Sequence, residues 1–126
     1  PLRRTLQTSE IIFGKENNSV SIELVKEFIV NPCDLREPKS KISEEFPNVN
    51  FDLVDDNYNY NELESDNDIE IRCNKFYDYI KNLNFENIAV VTHGAFLMKF
   101  VSIYGSRLKI EDKKWFENCE CRIGSI

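Results

Sequence analysis

A histidine at the end of a buried strand, with a glycine and a helix behind it, stands where a phosphate group would sit. Thr92-His93-Gly94 is such a place. Ile88 to Val91 is an apolar run without alternation, which predicts a strand buried on both faces of a sheet. Ala95 to Tyr104 is apolar nearly all round and closes at Gly105, which predicts a helix buried against that sheet. Open α/β sheets bind ligands at the carboxyl ends of their strands, and a helix N-terminus offers amide hydrogens to an anion. There His93, with Gly94, can bind a phosphate, the imidazole giving it a proton or a hydrogen bond. A lone histidine can also be a hydrogen-bonded core residue. His93 is the only histidine, so chemistry that needs two imidazoles is not completed by these residues alone.

Arg3 and Arg4 open a helical pattern whose first turns hold Thr5, Gln7 and Thr8, so a second anion-binding helix start is open beside the reading of two solvated arginines. The cysteines Cys33, Cys73, Cys119 and Cys121 carry no secreted-scaffold density and read as free thiols. Cys119 and Cys121 lack the further ligands a tetrahedral zinc needs, and the alternation Cys119, Cys121, Ile123 predicts the buried face of a strand. The acidic stretch within Asn48 to Asn67 lacks the glycine and closing glutamate of a calcium loop. No metal and no cofactor are expected.

The elements that must position these residues follow from periodicity. Leu2, Leu6, Ile12 and Phe13 predict a short amphipathic helix from Pro1 to Phe13, ended by Gly14. Val20 to Val30 predicts a strand, with a helical turn open over Glu23 to Glu27, and the loop NPCDLREP follows. Ser40 to Phe46 predicts a helical turn closed by Pro47, and Asn48 to Asn67 a surface excursion, mobile from Asp55 to Asp68. Ile69, Cys73, Phe76, Tyr77, Ile80 and Leu83 predict a helix that lays Phe76 and Ile80 on the sheet and leaves Lys75, Asp78 and Lys81 in solvent.

The chain's 126 residues, 41% hydrophobic and 30% charged, suffice for a single domain. A net charge of -6 and a pI near 4.9 make nucleic acid a poor partner. No apolar run approaches the roughly 20 residues of a membrane span, and the polar, basic first residues are no signal peptide, so no membrane partner and a cytoplasmic location are expected. A homo-oligomer stays open. The helical register is already under way at Pro1, as at a fragment boundary.

Several segments together resemble one family. PLRRTLQT is similar to the second signature of the histidine phosphatase superfamily, the phosphoglycerate mutase-like proteins. AVVTHGAFL resembles its second-histidine segment, and DLRE the segment carrying its acidic residue. Glu64-Ser65 with Arg72 resembles the helix before the histidine strand, and FENCECRI the last strand. Each motif alone is common by chance, but they stand in the family's order over nearly the whole chain. SKISEEFPNVNFDLVDD further resembles a subgroup of mutase-like proteins.

The resemblance implies an α/β fold, a mostly parallel sheet with helices on both faces. Residues 1–126 would form a single histidine phosphatase domain without its N-terminal strands, because nothing here matches the family's Arg-His-Gly signature, which supplies the nucleophile. It further implies phosphoryl transfer through a phosphohistidine to or from a phosphorylated small molecule. Arg4 would bind the transferred group, His93 would hold its equatorial oxygens, and Glu37 would protonate the leaving oxygen, the three converging on one pocket. By its sequence position alone Glu37 is a turn residue before Pro38. Hydrolysis of a phosphomonoester, mutase activity, and a non-catalytic phospho-ligand or protein-binding module on the same fold are the functions left standing.

Overall fold

The computed structural model describes residues 1–56, 63–112 and 114–126. Its elements are α1 (Arg3–Phe13), β1 (Val20–Ile22), α2 (Lys39–Glu45), β2 (Asn50–Leu53), α3 (Asp66–Lys81) and α4 (Gly94–Tyr104), with 3-10 turns at Glu23–Val25 and Pro32–Asp34. β1 and β2 pair in parallel, with an irregular register running from Val20 opposite Asn50 to Ile22 opposite Leu53. A parallel pair needs a crossover connection, and here α2 lies in it. The architecture is α/β, with a sheet of two strands among the described residues.

Two hydrophobic clusters hold these elements. In the larger, Phe76 of α3 meets Phe96 and Phe100 of α4 edge-on at 5.9 and 5.5 Å between ring centres, while Tyr77 stacks on Tyr104 at 4.0 Å. Ile69, Cys73, Ile80 and Leu108 complete it, with Val25 from the 3-10 turn. α3 therefore presents the expected face, with Phe76 and Ile80 buried and Lys75, Asp78 and Lys81 exposed. That face packs chiefly on α4 and the Glu23–Val25 turn, and Ile22 of β1 also lies against its cluster. The helix starts where Ser65 and Asp68 form a reciprocal capping box. The smaller cluster joins Leu6 of α1, Ile42 and Phe46 around α2, and Phe51 and Val54 around β2.

Gly14 closes α1 at φ 83°, a conformation that a side chain would strain. Several expectations need correction. The strand from Val20 ends at Ile22, where the chain turns through Glu23–Val25. The polar excursion after Asn48 contains β2, whose Phe51 and Val54 are buried. Finally, Ile88 to Val91 belongs to no strand among the described residues, and Ile88 and Val90 are 39% and 40% exposed. An extended backbone becomes a buried strand only when neighbours pair with it and cover its faces. Cys119, Cys121 and Ile123 are likewise exposed and outside any strand, because Cys119 turns into the left-handed region at φ 61° and breaks the alternation. All four cysteines are free thiols, and Cys73 alone is buried. Much of the expected mobile excursion, residues 57–62, lies outside the described residues.

Candidate active site

Arg4 and His93 stand 89 positions apart, and the fold brings them into contact. Leu2 and Leu6 are buried, Leu6 in the smaller cluster, and Thr5 donates its hydroxyl back to Leu2 O at 2.8 Å. The two arginines of that first turn then do different things. Arg3 donates Nε to both oxygens of Glu45, each at 2.8 Å, and so ties α1 to α2 at the surface. Arg4 donates Nε to His93 Nδ1 at 3.2 Å, Nη1 to Cys33 O at 3.0 Å, and Nη2 to Asp34 Oδ1 at 3.4 Å.

His93 is the N-cap residue of α4 and is 6% exposed. Its neighbour Thr92 donates a hydroxyl hydrogen bond to Val25 O at 2.5 Å, which fixes the approach to the helix. Because Arg4 has no acceptor to offer, Nδ1 must accept, so the neutral ring carries its hydrogen on Nε2. Burial, and after it the charge of Arg4, push the imidazole pKa down to about 3. Nε2 is buried and has no partner among the described residues. The site thus offers a neutral N–H donor next to a guanidinium that is half-exposed.

Asp34, which no motif in the sequence singles out, is the carboxylate that meets Arg4 here. It is 8% exposed and accepts from Asn31 N at 3.1 Å as well as from Arg4. Asn31-Pro32 with an aspartate at the third position beyond Asn31 was the available signal, since that spacing builds a cap around the turn. Glu37 is engaged with other groups. Its carboxylate pairs with Lys41 at 3.0 Å and makes no hydrogen bond or ion pair with Arg4 or His93. Its carbonyl accepts from Arg36, which is itself buried and bonded to Glu23 at 2.9 Å. A second carboxylate, Glu27, sits at the start of α4, where Oε1 accepts from Phe96 N at 3.2 Å and Phe28 N at 2.8 Å. An internal anion therefore uses part of the helix N-terminus on which Gly94 lies.

Arg72 and Glu64 form the buried brace behind the site. Arg72 donates Nε and Nη2 to the two Glu64 oxygens at 2.7 and 2.8 Å, and Nη1 to Leu24 O at 2.7 Å and Lys26 O at 3.0 Å. Its guanidinium also lies 5.4 Å from the Phe96 ring centre, so it joins α3, α4 and the turn before Glu27.

Residues 1–124 match the histidine phosphatase superfamily (branch 1). The chain belongs to that superfamily. Among relatives of this chain, phosphoglycerate mutase-like protein 2 of Arabidopsis thaliana is 35% identical over 101 residues, covering 74% of this chain and 29% of that protein. Phosphoglycerate mutase-like protein 1 of the same plant is 27% identical, covering 97% of this chain and 57% of that protein. The chain thus spans less than three fifths of the length of either relative. No solved structure matches it significantly. Among the described residues no helix is long and apolar enough to cross a membrane.

Proposed function

We propose that the protein hydrolyses phosphomonoesters through a phosphohistidine. The observation that carries this is the Arg4–His93 contact at 3.2 Å, which leaves a buried Nε2 hydrogen without an acceptor. An unsatisfied buried donor costs about 1 to 3 kcal/mol, and a phosphoryl oxygen would satisfy it. Arg4 meets the same group with positive charge, and the Gly94 amide adds a donor from the helix start. The attacking imidazole is not among these residues. In the first step its nitrogen bonds to phosphorus as the ester P–O bond breaks, and Glu37 gives its proton to the departing alcohol. Water then releases phosphate. For that role the Glu37 carboxyl must leave Lys41 when substrate binds. Arg4 and His93 spread the charge on the equatorial oxygens throughout, which is where most of the rate comes from in phosphoryl transfer.

Two other readings have particular support. The relatives are named phosphoglycerate mutase-like proteins, and mutase activity is the same chemistry with the phosphoryl group returned to a different hydroxyl. A phospho-ligand module without turnover is favoured by the single imidazole. The test is hydrolysis of p-nitrophenyl phosphate by the protein in its full encoded length, with phosphate binding followed by 31P NMR. His93→Ala should lower the rate by about 10² or more, and Arg4→Ala should abolish phosphate binding. Binding without turnover selects the module; binding unaffected by Arg4→Ala overturns the site. The 126 residues alone should not turn over, and acid-labile phosphate formed on them would make His93 the nucleophile and overturn its role here.

A further inference from the structure

The indole of Trp115 lies against Gly94, the residue that follows His93. A Cβ placed on Gly94 would stand 3.4 Å from Trp115 Cζ2 and 3.9 Å from Nε1. Trp115 is nevertheless 64% exposed, so part of the ring rests on the start of α4 and the rest faces solvent.

An exposed tryptophan on a loose loop would say little, but this one is held from behind. The Arg122 side chain, 8% exposed, donates Nη1 to Asp112 O at 2.8 Å and Nη2 to Lys114 O at 2.9 Å and Trp115 O at 3.3 Å. Glu120 accepts from its Nε at 2.6 Å, and its guanidinium lies 3.7 Å from the centre of the buried Phe116 ring. One guanidinium thus fixes three carbonyls of the segment that carries the indole. Arg122 thereby restrains the backbone that carries the indole against the first residue of α4. An exposed indole face offers a surface on which a ligand's ring can stack.

We propose that Trp115 is a specificity-determining residue, whose indole receives a flat ring on the leaving group of a phosphomonoester held at Arg4 and His93. This rests on the phosphate reading of those two residues. The selected class is a phosphomonoester with an aromatic ring close to the ester oxygen, preferred over one with a small alkyl group. Ring stacking of this kind is worth about a fivefold gain in affinity.

Phenylphosphonate and methylphosphonate separate the ring from the anion, because both carry the same head and a P–C bond that ester hydrolysis leaves intact. The protein in its full encoded length is titrated with each, and with inorganic phosphate, by 31P NMR. Phenylphosphonate should bind about fivefold more tightly than methylphosphonate. Trp115→Ala should bring the two within twofold without weakening methylphosphonate, and Trp115→Phe should keep most of the preference. No preference in the wild type, a preference that survives Trp115→Ala, or equal weakening of both ligands overturns the role of Trp115 and leaves the phosphate site standing. Failure of all three ligands to bind overturns the phosphate reading itself, and this inference with it.

Discussion

His93 is held neutral by its surroundings, so charging it must cost folding free energy. Burial and the Arg4 guanidinium at 3.2 Å bring its pKa from 6.5 to about 3. In the unfolded chain the ring takes up a proton near pH 6.5, whereas the folded ring waits until about pH 3. Between those values the unfolded state binds more protons, so the stability this residue contributes is complete above pH 6.5 and falls as the solution is acidified. The slope is about 1.4 kcal/mol per pH unit, which comes to about 2 kcal/mol between pH 7 and pH 5. His93→Asn is the comparison, since asparagine keeps a polar side chain and cannot titrate. Urea unfolding of both proteins at the two pH values isolates the imidazole, because the contributions of the carboxylates are common to both and cancel. The wild type should lose about 2 kcal/mol more than the variant. An equal loss, or an imidazole seen by NMR to titrate near pH 6.5, would refute both the desolvation and the Arg4 contact.

Glu27→Gln removes the internal anion at Phe96 N and should tighten phosphate binding by about threefold in a 31P NMR titration; weaker binding would show that Glu27 supports the site rather than competing for it. Glu64→Gln leaves the Arg72 guanidinium without its charge partner and should cost about 3 kcal/mol in urea unfolding. Phe96→Ala empties a fully buried position between α3 and α4, with an expected loss of about 3 to 5 kcal/mol by the same measurement. Ser65→Ala removes the cap of α3 and should cost about 1 kcal/mol.

The helices were legible because their signals are local. α3 shows its buried stripe at three and four residue spacings, and α4 runs from Gly94, one residue before the expected Ala95, to Tyr104 before Gly105 as expected. Strands are decided by partners, which a single run of residues does not reveal. Ile88 to Val91 has the composition of a central strand and lies outside any ladder among the described residues, whereas β2, inside an acid-rich stretch, finds β1 and buries Phe51. The same distinction runs through the site. Arg4 and His93 were named from their positions at helix starts, and both are there. Asp34 and Glu27 were not, because each enters only through how a neighbouring turn folds back. The side chain of Glu37 in turn stands with Lys41, a partner one helical turn away that competes with any distant assignment.

The two hydrophobic clusters have one further meaning for the site. Arg4 rides on the helix anchored in the smaller cluster, and His93 caps a helix rooted in the larger, so their hydrogen bond links elements packed in different clusters. An anion gripped by both side chains would act as a rivet. Free energy of binding would then appear as resistance to local opening at either end of the bond, and amide exchange should slow in α1 and α4 together, although neither helix is rooted in the other's cluster.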